Sequence, residues 1–258
     1  MSIPIADSDI RFPYYGQTLC DLAAGKTAGE AAAVIIKGNH GDVERRVFIG
    51  EILTEVQRRH NITDLQVAKI IGAETISKGP LNWTWLQGVL QAIDIYVPLA
   101  SAAAIALATN DVYQYLENIG IRDEIEMGVR QALIPEVPTV VVAHSLGTVV
   151  AYNLLRRDGA AQRWQVPLLL TLGSPLAVTA IRKKLAPNRC PTCVGQWINA
   201  RDARDVVALY PLDADHFPLD VQIINKRDVD NPTPNRHGIS GYISDPEIAK
   251  ALHDAVVA

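Results

Sequence analysis

An α/β fold, with a mostly parallel sheet covered by helices on both faces and a large helical insertion, is predicted by three features of this 258-residue chain. From residue 139 onward, short continuous apolar runs alternate with segments of helical periodicity, the pattern of strands buried on both sides. One of those runs stops on a serine, and an amphipathic helical pattern starts at once. Residues 17–133, by contrast, are almost entirely helical in pattern and sit between a first strand and that serine.

Taken in order, residues 9–16 (Asp-Ile-Arg-Phe-Pro-Tyr-Tyr-Gly) read as a strand running into a turn. In the helical block, Val47, Phe48, Ile52, Leu53 and Val56 form one apolar stripe, and Leu65, Ala68 and Ile71 add to it. Residues 83–108 are its most apolar part. Gln87, Gln91, Asp94 and Pro98 interrupt them, whereas a membrane span needs about 20 mostly apolar residues. Two helices broken at Pro98 are therefore expected, with no transmembrane segment and with Trp83, Trp85, Leu86, Leu90 and Tyr96 in the core of the insertion. The β-branched run that starts at Thr139 forms the next strand, which ends on Ser145. The helix after it carries Leu146, Val149, Val150, Leu154 and Leu155 and should stop at Arg156-Arg157-Asp158-Gly159. There the basic residues suit the negative helix end, and the glycine can adopt the left-handed closing conformation. Strands follow at Val166–Leu172, at residues 196–200 and at residues 221–225, with a short helix holding Ile181 and Leu185 between the first two. The last helix has Asp245 as N-cap and Pro246 in its first turn, and sets Ile248, Leu252 and Val256 on one face.

Composition narrows the function classes. Hydrophobic residues at 48% and charged residues at 20% are ordinary for a globular protein long enough to bury a sizeable core. The net charge is −4 and no basic stripe is interleaved with aromatics, so no nucleic-acid partner is expected. Residues 1–7 lack the basic start and apolar core of a signal peptide, which makes the cytoplasm the expected compartment. Cys190 and Cys193 have redox-motif spacing but lie in a Pro- and Asn-rich loop instead of opening a helix after a strand. With no second pair to complete a zinc site, they read as a surface loop with two thiols. Asp213, Asp215 and Asp220 read as a solvated acidic loop rather than a calcium site, and no metal or organic cofactor is implied.

Ser145 carries the chemistry. The string Ala143-His144-Ser145-Leu146-Gly147 places a small residue two positions to either side of a serine between strand and helix, as a tight corner requires. It resembles the nucleophile elbow of the α/β-hydrolases of esterase and lipase type, in which glycines usually hold both small positions and a histidine often precedes the serine. The resemblance implies a hydrolase core at residues 1–16 and 134–258 and a helical cap at residues 17–133. It also implies hydrolysis of a small-molecule carboxylic ester through a Ser-His-Asp triad and an acyl-enzyme. An acyltransferase, thioesterase or amidase with the same triad, or a weakly active hydrolase-like binding protein, are the alternatives it leaves.

In that family the triad runs Ser, then acid, then His along the chain. Of the histidines after Ser145, His216 precedes the last strand and His253 lies in the final helix. His237 sits in the loop between last strand and last helix, where the family presents its base. The acid should follow the strand ending near Ala200. Asp205 opens an Asp-x-Val segment like that of many lipases, and the resemblance favours it, while chain order alone does not exclude Asp202. One oxyanion-hole donor is implied at the backbone N–H of Leu146. The family's second donor comes from a His-Gly loop after an earlier strand. Here the chain looks as though it starts one strand late: either the gene encodes a further strand and loop upstream of Met1, or Tyr14-Tyr15-Gly16 or a cap residue supplies the donor. Only five strands can be placed, near Ile10, Val140, Leu169, Ile198 and Ile223. The open edge this leaves should be covered by a cap segment or by a second subunit in a homodimer.

Overall fold

The computed structural model describes residues 5–13, 43–72, 79, 82–97 and 102–258. Its core is a parallel four-stranded sheet: β1 (Val141–His144), β2 (Val166–Leu172), β3 (Val194–Ala200) and β4 (Ile224–Lys226), in the spatial order of the chain. Val142 pairs with Leu170, Leu170 with Ile198, and Ile198 with Ile224, so a single row crosses all four strands. Each connection must cross over the sheet to return parallel. The crossovers carry α6 (Leu146–Asp158) and α7 (Thr179–Lys184), while α8 (Ile239–Ile243) and α9 (Pro246–Val257) follow β4.

Alternation along the strands sends side chains to two separate cores. Leu168, Leu170, Leu172, Ile198 and Ala200 pack with Tyr242, Ile248 and the partly buried Leu252 on the α9 side. Leu169 and Trp197 face the other way, onto Val149, Val150 and Leu154 of α6. Asp245 does cap α9, accepting from Glu247 N–H at 3.0 Å and Ile248 N–H at 3.3 Å.

Upstream of the sheet lie α1 (Val43–Arg59), α2 (Asp64–Ile70), α3 (Trp83–Tyr96), α4 (Ala102–Glu117) and α5 (Ile119–Ala132). Residues 17–42 lie outside the described residues. α3 and α4 flank Pro98 as two separate helices, and no helix among the described residues is long and apolar enough to cross a membrane. Phe48, Ile52, Leu53 and Val56 of α1, with Trp85, Leu86 and Leu90 of α3, join one apolar cluster that continues through α6 and α7 to Ile223. The helical block thus shares the core on the α6 face of the sheet. Polar contacts add to the join: Glu55 accepts from Thr179 N–H at 3.0 Å and its hydroxyl at 2.9 Å, and Arg59 Nε donates to the Leu209 carbonyl at 3.3 Å.

Five expectations are corrected. Residues 9–13 form no strand: a 3-10 turn at Asp7–Asp9 leads into irregular chain, and residues 14–16 lie outside the described residues. Ile10 and Phe12 stay exposed, the latter 78%, and Arg11 donates to the Ala132 carbonyl at the end of α5. Pro13 has no N–H to offer a ladder. Second, the last strand starts at Ile224, three residues late, because only Ile198 to Ala200 of β3 lie opposite it, and Val221 is exposed. Third, Leu65 is 79% exposed; α2 buries Val67 and Ala68 instead. Fourth, Tyr96 is also exposed, at the end of α3. Last, Gly159 is right-handed (φ −53°, ψ −45°), not left-handed. Its role is close approach: a Cβ there would stand 2.3 Å from Cys193 Sγ and 2.5 Å from the Leu155 carbonyl.

Candidate active site

Ser145 stands at the corner between β1 and α6. Its N–H continues the sheet by donating to the Leu172 carbonyl at 3.1 Å, and Leu146 opens the helix. The turn this demands puts Ser145 at φ 52°, ψ −125°, a backbone state that costs a residue with a Cβ of order 1–3 kcal/mol. Neighbours hold it there. The Ser145 carbonyl accepts from Thr148 N–H at 3.0 Å and from the Thr148 hydroxyl at 2.7 Å. Thr148 has thereby spent its proton, so Ser174 Oγ, 2.8 Å away, donates to it. Both hydroxyls are buried under the corner. Ser145 occupies the N-cap position of α6, yet its side chain makes no capping bond and is left to point elsewhere.

It points to His237. The Nε2 atom of His237 is 2.8 Å from Ser145 Oγ, and its Nδ1 is 2.7 Å from Asp205 Oδ2. A carboxylate only accepts, so Nδ1 carries a proton and Nε2 of the neutral ring is the acceptor facing the serine hydroxyl. Asp205 is buried, with its Oδ1 taking the N–H groups of Val207 at 2.9 Å and Ala208 at 3.4 Å. The Tyr242 hydroxyl reaches Oδ2 at 2.6 Å.

Asp202, the other candidate acid, is equally buried but engaged elsewhere. Its oxygens take Arg204 N–H (2.8 Å), Arg204 Nε (3.0 Å) and Asn231 N–H (2.9 Å). Burial pushes this carboxyl up, but the hydrogen bonds from Arg204 and Asn231 outweigh it and hold the group below the usual carboxylate range. Asp202 therefore links the turn after β3 to the loop that carries His237. His216 and His253 are away from the site: His216 bonds Asp213 at 2.7 Å and stacks on Tyr210, and His253 lies in α9 beside Asp254.

His144 has a role of its own. Its Nε2 is 2.6 Å from the His237 carbonyl, so the residue before the serine ties down the backbone of the residue after it in the relay. Burial first, and the neighbouring His237 charge second, lower the His144 pKa to about 4. The ring is neutral above that, and its one proton must sit on Nε2 to serve the carbonyl. Gly173 closes the floor. It has φ +56°, and a Cβ there would lie 3.0 Å from the Tyr242 ring, 3.2 Å from Asp205 Oδ2 and 3.2 Å from His237 Cε1.

The structure thus brings Ser145, His237 and Asp205 into one hydrogen-bonded chain with Leu146 at the helix start, while Tyr14, Tyr15 and Gly16 lie outside the described residues. The parts that sequence reasoning missed are Tyr242, Thr148, Ser174 and Gly173. Of these only Gly173-Ser174-Pro175 left a local mark, as the end of a buried strand. Cys190 and Cys193 are free, half-buried thiols that burial pushes up, the setting of inert cysteines. Among the described residues no three His, Cys, Asp or Glu side chains gather as metal ligands would. A cavity of about 410 Å³ bordered by Phe217, Leu219, Ile223 and Asn225 lies beside β4, and none of the three chain members lines it. A scan against protein-family models, a search of curated proteins and a search of solved structures each returned no match.

Proposed function

We propose that this chain is a serine hydrolase of the α/β-hydrolase type that cleaves carboxylic esters through an acyl-enzyme. The observation that carries the reading is the Asp205–His237–Ser145 chain at 2.7 and 2.8 Å, ending on a serine held at positive φ at a strand–helix corner. A serine hydroxyl is a poor nucleophile until a base takes its proton, and the base needs a partner that fixes its tautomer. His237 Nε2 receives the proton as Ser145 Oγ attacks the acyl carbon, and Asp205 stabilises the imidazolium so formed. The oxyanion of the tetrahedral intermediate is taken up by Leu146 N–H, one of the unpaired donors in the first turn of α6. His237 returns the proton to the leaving alkoxide, and the same steps with water release the acid. The parallel sheet with acid after β3 and base after β4 supports the family reading. In this reading the helical block acts as the cap and shapes acyl preference.

Fluorophosphonate labelling and burst release of p-nitrophenol from p-nitrophenyl acetate test the proposal. Wild type is expected to label and to show a burst, and Ser145→Ala to do neither while folding normally. Undiminished labelling of the alanine variant would overturn it.

A further inference from the structure

Asp205 takes a hydrogen bond that a Ser-His-Asp relay does not require. The Tyr242 hydroxyl lies 2.6 Å from Asp205 Oδ2, the same oxygen that His237 Nδ1 contacts at 2.7 Å. Asp202 N–H donates to that hydroxyl oxygen at 3.2 Å. A backbone N–H can only donate, and a phenol has one proton, so the Tyr242 proton is committed to Asp205. The ring is fully buried between the sheet and α9, and Gly173 leaves the room for it. Burial, then the Asp205 charge, push the phenol above its ordinary value, so it remains a donor throughout the neutral range.

The consequence is electrostatic. Each oxygen of Asp205 receives two donors: Val207 and Ala208 N–H at Oδ1, His237 and Tyr242 at Oδ2. A donor on the oxygen that faces the imidazole spreads the carboxylate charge and weakens its hold on an imidazolium. It also resists protonation of the carboxylate itself. Both effects make the coupled Asp205–His237 pair take up a proton at lower pH than it would without the phenol. The other groups facing this pair keep their state over the range concerned. His144, with its ring 4.7 Å from that of His237, is neutral above about pH 4. From the β3 exit, Arg201 stays cationic and Asp202 anionic.

We propose that Tyr242 is a positioning residue that fixes Asp205 Oδ2 on His237 and sets the lowest pH at which Ser145 is activated. This rests on the hydrolase reading above. Tyr242→Phe keeps the ring and removes only the donor. The acid limb of kcat/KM for p-nitrophenyl acetate is expected to move to higher pH by about one pH unit, with plateau kcat falling ~10-fold or less. A second readout needs no turnover: the downfield proton resonance of His237 Nδ1–H, recorded in a Ser145→Ala background, should move when Tyr242→Phe is added. An unmoved limb and an unmoved resonance, with only a lower melting temperature, would reduce Tyr242 to packing and overturn the proposal. Should Tyr242→Phe fail to fold, 3-fluorotyrosine placed at position 242, a stronger donor, must move the limb to lower pH, and no movement overturns the proposal equally. If Ser145→Ala hydrolyses the ester as fast as wild type, the hydrolase reading fails instead, and the resonance still reports on the Tyr242–Asp205 contact.

Discussion

Replacing each of the two buried aspartates by asparagine separates their roles, and the hydrogen bonds set the size of the effect. An asparagine at position 205 keeps the shape of the side chain but exchanges one acceptor oxygen for an NH2. The carboxylate there meets donors on both oxygens, Val207 N–H at 2.9 Å on one, His237 at 2.7 Å and Tyr242 at 2.6 Å on the other. Wherever the amide nitrogen goes, it faces a donor. With NH2 toward His237, the imidazole must accept at Nδ1 and hold its proton on Nε2, where it cannot take one from Ser145. With NH2 toward Val207, a buried backbone donor is left unpaired, at about 1–3 kcal/mol, and a neutral oxygen supports the imidazolium poorly. If the proposed hydrolysis holds, kcat should fall on the order of 10⁴ by analogy with Ser-His-Asp enzymes, about 5.4 kcal/mol of barrier. Asp202→Asn disturbs only the bonds to Arg204 and Asn231, so kcat should fall less than ~10-fold, the loss appearing mainly as a lower melting temperature. The assay is kcat for p-nitrophenyl acetate, with circular dichroism melting to establish that each variant folds. A crippled Asp202→Asn beside a near-normal Asp205→Asn would refute the assignment of the acid.

Two further outcomes follow from the same geometry. Gly159→Ala forces a methyl to within 2.3 Å of Cys193 Sγ and 2.5 Å of the Leu155 carbonyl, so it should cost about 1–3 kcal/mol by overpacking; an unchanged urea midpoint would contradict this. His144 has a folded-state pKa lowered from 6.5 to about 4, so between those values the unfolded chain holds a proton that the folded chain does not. Stability from this residue is then fully present above pH 6.5 and is lost as pH falls toward 4, by about 3 kcal/mol in all. His144→Gln, which keeps a donor without a titrating ring, should flatten that part of the stability curve, and an unaltered slope in urea titrations would count against the burial argument.

How much of this was legible depended on whether a residue's role is local. β2 was readable because Val166 to Leu172 is apolar but for Thr171 and ends on Gly173-Ser174-Pro175, and α9 because Asp245-Pro246 is a start signal whose cap bonds form within three residues. Ser145 was readable because the steric demands of the corner fall on its immediate neighbours. Residues 9–13 misled because apolar content alone does not decide whether a segment pairs into a sheet, and Ile10 and Phe12 are exposed. Gly159 misled for a related reason. A glycine after a helix suggests a left-handed close, yet this one is required by Cys193, which sits on the far side of β2 in the sequence. Tyr242 gave no local signal, since its contact with Asp205 exists only once α8 has packed beneath the sheet.

The two aspartates show the limit most sharply. They are three positions apart, both buried, and both saturated with hydrogen bonds, so neither burial nor polarity distinguishes them. The distinction is made by the turn between them. Asp205 N–H bonds back to the Asp202 carbonyl at 3.1 Å, which folds the segment on itself. One carboxylate meets His237 while the other meets the backbone of Asn231. Arg204, between them in sequence, then claims Asp202 through its own N–H and Nε, and its guanidinium reaches Asp230 in the following loop at 2.5 Å. Arg204 thus bridges Asp202 and Asp230 and makes no bond to Asp205, whose carboxylate is left to serve the histidine. The loop bearing His237 is therefore held by the aspartate that does not touch the imidazole, and the imidazole is oriented by the one that the arginine spares.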